Sequence, residues 1–211
     1  MITADLIARL AVEPPKPALR PALMALAIGA AIVGPVALFL GVLGVRPDLA
    51  LAWSDPVVPF KTMLPVVTCG LSVMLLLRLS RPEARLGRAL AAYLVPGLAA
   101  LALWIGAFLL RQPAERFAEV GVKSVAECLG SILLLSIVPT IVALRVLRQG
   151  ASTNPAVSAA LAGFTAALGA ASGYSLFCTR DNPLFFVTWY GAAILIVTLI
   201  AAWAGRRVLS W

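Results

Sequence analysis

The sequence predicts an all-α membrane protein, a bundle of six transmembrane helices with both termini in the cytoplasm. Three observations predict it: composition, six apolar runs of spanning length, and a charge asymmetry across them. Hydrophobic residues make up 62% of the 211 residues, mean hydropathy is +1.00, and 12% are charged. A soluble domain carries about a quarter charged residues.

The runs cover residues 22–45, 60–79, 89–110, 124–144, 156–177 and 185–205. Each approaches the roughly 20 apolar residues a helix needs to cross hydrocarbon, where no water satisfies a bare backbone group. Pro35, Pro65, Pro96 and Pro139 lie inside the runs, and neighbouring helices absorb such kinks. The first run is long and ends without a small-residue cleavage site, so it reads as a retained span rather than a cleaved leader. The chain divides into an N-terminal segment, 1–20, and a transmembrane domain, 21–211.

Orientation follows from counting. The termini and the 78–88 and 145–155 loops carry 11 basic against 3 acidic residues, a net +8. The opposite side carries 6 of each: Arg46, Lys61, Arg111, Arg116, Lys123 and Arg180 against Asp48, Asp55, Glu115, Glu119, Glu127 and Asp181. Lys/Arg excess marks the cytoplasmic side. Basic charge placed this way meets anionic lipid headgroups and argues against direct nucleic-acid binding.

No extramembrane piece is large enough to fold alone, since fewer than about 40 residues rarely do. The central parts of the spans hold no Asp, Glu, Lys or Arg, and the chain has no His. That disfavours transporters and channels, which place ionisable groups or broken helices at midplane. It equally disfavours intramembrane metalloenzymes and serine hydrolases. No catalytic residue, metal site or cofactor is expected.

The fifth run is rich in small residues, with Gly169 and Gly173 forming a GxxxG pair. Close packing inside the bundle is the first reading and a contact with a second copy of the chain the alternative. Cys69 sits near the middle of the second run and reads as a small buried filler. Cys128 lies near the start of the fourth run and Cys178 just beyond the end of the fifth. Opposite crossing directions bring both to the outer side, where thiols pair or respond to oxidants and soft metals. Two unrelated cysteines are the alternative. Glu127 and Asp181 lie close in sequence and would perturb a thiol or help hold a soft cation. Asn182-Pro183 predicts a tight turn, leading into Phe185, Phe186, Trp189 and Tyr190. Composition reads that cluster as an aromatic belt anchoring the sixth helix.

In the N-terminal segment Ile2, Leu6, Ile7 and Leu10 fall on one helical face. Thr3 caps it, Asp5 suits its first turn, and Pro14, Pro15 and Pro17 end it. A disordered tail, a helix on the membrane and a helix in a partner's groove are the three readings. Asp5 and Glu13 on the polar face weaken the membrane reading.

The opening Thr3-Ala4-Asp5-Leu6-Ile7-Ala8-Arg9-Leu10-Ala11, the proline spacer and the six runs together resemble the NrsF-like family of bacterial membrane anti-sigma factors. So do Cys178 with its polar turn, Pro183-Leu184-Phe185, Trp189-Tyr190-Gly191, and the closing Gly205-Arg206-Arg207 and Trp211. The family's turn is more acidic, often with a preceding His, than Thr179-Arg180-Asp181-Asn182. The resemblance implies a multi-pass protein of the bacterial inner membrane, not an enzyme and without a cofactor. Its partners would be the lipid bilayer and an extracytoplasmic-function sigma factor. Ile2, Leu6, Ile7 and Leu10 would bind that sigma factor. Cys128 and Cys178 would be the pair that senses an envelope redox or thiophilic-metal stress. A membrane thiol-disulfide oxidoreductase and a small transporter or channel are the rival classes.

Overall fold

A computed structural model describes residues 20–79, 90–149 and 154–209. The proposed partner helix, with Ile2, Leu6, Ile7 and Leu10, lies outside the described residues. Among the described residues the fold is helical throughout. Its elements are α1 (Pro21–Leu43), α2 (Leu49–Ala52), α3 (Val57–Leu79), α4 (Leu94–Leu110), α5 (Val122–Leu147), α6 (Pro155–Ser175) and α7 (Pro183–Val208).

Five of these, α1, α3, α5, α6 and α7, are long and apolar enough to cross a membrane. The third predicted run is interrupted: residues 90–91 are helical, a turn follows at 92–93, and α4 then spans 17 residues, or about 25 Å at 1.5 Å per residue. Pro96 occupies its first turn, where a missing N–H costs nothing. Just ahead of it, the Tyr93 hydroxyl reaches Ser72 Oγ of α3 at 3.1 Å. The four-residue α2 was not anticipated in the 46–59 loop.

Asn154 and Asn182 start α6 and α7 in the same way. Each side chain accepts a hydrogen bond from the new helix, and a proline follows at its first position. Gly44 ends α1 at φ 84°, a conformation costly for any residue with a Cβ. That turn carries the chain over to Arg46.

The hub is α6, the most buried of the five long helices, whereas α1 is the most exposed. The hub packs on α7, α3, α5 and α1. Without a hydrophobic drive between helices in lipid, close backbone approach supplies the attraction. A Cβ on Gly163 would strike Ala201, and one on Gly205 would strike Ala159. The GxxxG pair is used within the chain, Gly169 meeting Ile32 and Gly173 meeting Val36 of α1. Around this hub the outward faces stay apolar: Leu38 is 70% exposed and Leu134 67%. With five helices of spanning length, an apolar exterior of this kind suits a membrane protein.

Candidate functional site

One end of the bundle, the upper end here, gathers the 44–48 turn, the start of α3, the start of α5 and the 176–182 loop. The loop is short and its backbone groups need partners away from water. Lys61, four residues into α3 and 1% exposed, supplies them. Its Nζ donates to the carbonyl oxygens of Cys178 (2.6 Å) and Arg180 (2.8 Å) and to Asp181 Oδ1 (3.0 Å). An ammonium has three protons, and all three are used.

Arg46 closes the arrangement from α1's side. Its Nη1 donates to both Asp181 oxygens at 2.8 Å, while Nε and Nη2 form a bidentate pair with Asp48, also at 2.8 Å. Its backbone N–H donates to Leu176 O at 3.1 Å. Arg46 is thereby held firmly cationic, first by the hydrogen bond to Asp48, and Asp48's carboxyl is held below the ordinary aspartate range by the same contact. Two nearly buried cations are tolerated because two carboxylates, Asp181 and Asp48, balance them and carbonyls take the rest of the Lys61 donors. Asn182 fixes the loop's far side, donating from Nδ2 to Arg116 O at 3.0 Å.

Beneath this clamp lie the thiols. The structure brings Cys128 (0% exposed) and Cys178 (5%) into one buried cluster with Ile132, Tyr174, Phe185 and Tyr190. Both are free thiols. The Tyr174 and Tyr190 hydroxyls lie within electrostatic range of both sulfurs. Tyr190's hydroxyl faces Cys178 without reaching the geometry of a full hydrogen bond. Aromatic contacts run from α1 to α7 across this layer: Phe39 to Phe177 at 5.2 Å, Phe39 to Tyr174 at 6.2 Å, and Tyr174 to Tyr190 at 5.8 Å. A cleft of about 280 Å³ opens above it, bordered by Arg46, Ser124, Glu127, Tyr174, Cys178 and Arg180.

Two expectations need correction. Phe185, Phe186 and Tyr190 are buried around the thiols rather than facing outward as a belt, because α7 packs that face against α5 and α6. Asp181 is engaged with Arg46 and Lys61 instead of standing free beside a sulfur. Glu127 does lie on the cleft rim with Cys178, and its pair with Lys123 is long and exposed at 3.9 Å. Sequence reasoning missed the clamp altogether, having counted Arg46 and Lys61 only as balanced outer charge. One signal was available: a lysine just inside a membrane run is a functional-site candidate in its own right. Cys69, half-buried on α3, places Sγ 3.5 Å from Thr165 O and stays apart from the other two.

Residues 10–211 match the family model described as negative regulator of sigma F. Over the full length of both chains the sequence is 35% identical to a probable anti-sigma-F factor NrsF of Azospira oryzae. It is 32% identical, again over both full lengths, to the anti-sigma-F factor NrsF of Caulobacter vibrioides. No solved structure matches the chain.

Proposed function

The chain belongs to the NrsF family of negative regulators of sigma F, and from that premise we propose a membrane anti-sigma factor that holds its sigma factor through residues 1–20 and releases it on a thiol signal. The observation that carries the reading is the full-length match to two anti-sigma-F factors. Such a protein needs no catalytic centre. The sigma factor is of the extracytoplasmic-function class, and the protein sits in the bacterial inner membrane with six spans, α4 being the sixth, and both termini inside.

In this reading Ile2, Leu6, Ile7 and Leu10 form the apolar face of a helix that docks on sigma. Cys128 and Cys178 are the sensor. Support for a link between them comes from α1, which runs directly on from the N-terminal segment. Its far end is tied to the Cys178 carbonyl through Arg46, and its middle rests on Gly169 and Gly173. A chemical change at the thiols displaces the 176–182 loop, loosens the clamp and shifts α1. Moving sigma from mostly bound to mostly free requires the two states to differ in affinity by about 5 kcal/mol.

The test is retention of purified sigma factor by the full-length protein in lipid discs, with and without residues 1–13. Retention by the intact protein alone is expected. Equal retention by the truncated protein removes the helix from the mechanism, and no retention by either overturns the anti-sigma reading. In cells, Cys128→Ala together with Cys178→Ala leaves retention intact and abolishes induction. Unaltered induction shows the thiols to be structural.

A further inference from the structure

Helix α4 stands off from the bundle. It rests on α7 and α3 rather than on the hub α6, and of its residues, all described, only Pro96 is buried. The side chains it turns toward its neighbours explain this. Tyr93, just ahead of the helix, and Gly97, Ala100 and Trp104 recur at intervals of three or four, one helical face. That face is large at its ends and small between them. At the lower end the Tyr93 hydroxyl donates to Ser72 Oγ of α3 at 3.1 Å. Higher up, Trp104 Nε1 donates to Thr188 Oγ1 of α7, also at 3.1 Å. Between these ties Gly97 and Ala100 are too short to close the gap: a Cβ on Gly97 would meet no atom of the described residues within 4 Å.

The gap is a groove of about 470 Å³ walled by α3, α4, α6 and α7, with Leu168, 4% exposed, at its floor. It follows α7 from Phe186 to Thr198, about 18 Å at 1.5 Å per residue. Half the hydrocarbon thickness of a bilayer is about 15 Å. The polar side chains on the wall are turned to partners of their own. Lys61 gives all three protons to the loop above. Thr68 and Thr198 donate to the carbonyls four residues back, those of Leu64 and Ile194. Tyr93 is taken by Ser72, and the Tyr190 hydroxyl faces Cys178. What they leave toward the groove is hydrocarbon, where a headgroup or a peptide backbone would bury its polar atoms unmet. With both ends of α4 tied down, the slot admits a thin flexible chain rather than a helix about 10 Å across.

We propose that this groove holds one acyl chain of a membrane phospholipid, seated between α4 and the wall of α3, α6 and α7 as a resident part of the bundle. The inference rests on the membrane reading and is independent of the sigma factor. Three of the four walls are helices of spanning length, so the solvent around the groove is lipid. An empty groove there forfeits the dispersion contacts of its whole lining, which an acyl chain restores. The chain gives α4 the packing that Gly97 and Ala100 cannot. It also lies along the methylene stem of Lys61, whose ammonium is held in the clamp above.

The experiment places the full-length protein, one copy per lipid disc, with phosphatidylethanolamine carrying a diazirine midway along one acyl chain. After irradiation the labelled residues are located by mass spectrometry. Label is expected on Phe164 and Leu168 inside the groove and on the outward-facing Leu134 of α5. Ala100→Phe and Gly97→Leu each fill the groove from α4, the second into open space. Both should lose the label at Phe164 and Leu168 and keep it at Leu134, which reports correct insertion. After a wash in mild detergent, native mass spectrometry should find one phospholipid on the unsubstituted chain and none on Ala100→Phe. No label inside the groove of the unsubstituted protein, or label there that survives both substitutions, overturns the proposal. Label that disappears when discs carry two copies also overturns it and hands the groove to a second chain. Sigma retention is measured separately, so failure of the lipid site and failure of the anti-sigma reading give different results.

Discussion

At the lower end of the bundle Leu75, Leu76 and Leu79 of α3 meet Leu144 and Leu147 of α5, Ala159 and Ala162 of α6 and Leu209. At the upper end the same helices meet through Arg46, Lys61 and Asp181 lying over Cys128 and Cys178. The lower contacts are apolar and non-directional. In lipid they gain little from burial itself and hold by packing, so small displacements cost little. The upper contacts are directional and charged. A shift in the Cys178 carbonyl strands part of a buried ammonium, so the upper end resists small displacements that the lower end absorbs.

The largest effect should come from Asp181→Ala, which leaves Lys61 and Arg46 without their shared carboxylate. Breaking a buried pair costs about 3 kcal/mol or more, read as a lowered unfolding temperature in lipid discs, with faster maleimide labelling of Cys178. An unchanged unfolding temperature would remove the clamp from the account. Leu76→Ala at the lower end should cost about 2 kcal/mol through lost packing and leave Cys178 labelling as it was. If labelling rises as much as in Asp181→Ala, the two ends are not independent.

Asn182→Ala should cost about 1 kcal/mol, typical of a lost helix cap, and should increase labelling of Cys178 modestly because α7's starting angle loosens. Acid acts last and least, through Asp48. Its carboxyl is lowered by the hydrogen bond from Arg46. The stabilisation is therefore complete above the ordinary aspartate value of about 3.9 and fades as pH falls through the lower folded value. Arg46 stays cationic throughout that range. Asp48→Asn should flatten the acid limb of the unfolding profile slightly, and an identical limb in the variant would show that Asp48 is not part of the upper lock.

The sequence by itself determined that the chain is helical and apolar enough for a membrane, because a backbone in hydrocarbon must satisfy its own hydrogen bonds. It also put Cys128 and Cys178 at one end. Their positions at the start of one crossing and the end of the next follow from counting alone. The turn at Asn182-Pro183 was equally local: Asn-Pro marks it, and the structure realises it as the start of α7. Tertiary structure alone decided that Lys61 reaches Asp181, 120 residues away, and that Phe185, Phe186 and Tyr190 turn inward. It alone decided that Gly169 and Gly173 receive Ile32 and Val36. The physical reason is shared by all three. In a helix apolar on every side no periodicity marks the buried face, so the rotation of each helix, and the distant charge that neutralises a buried one, are set only when the helices pack.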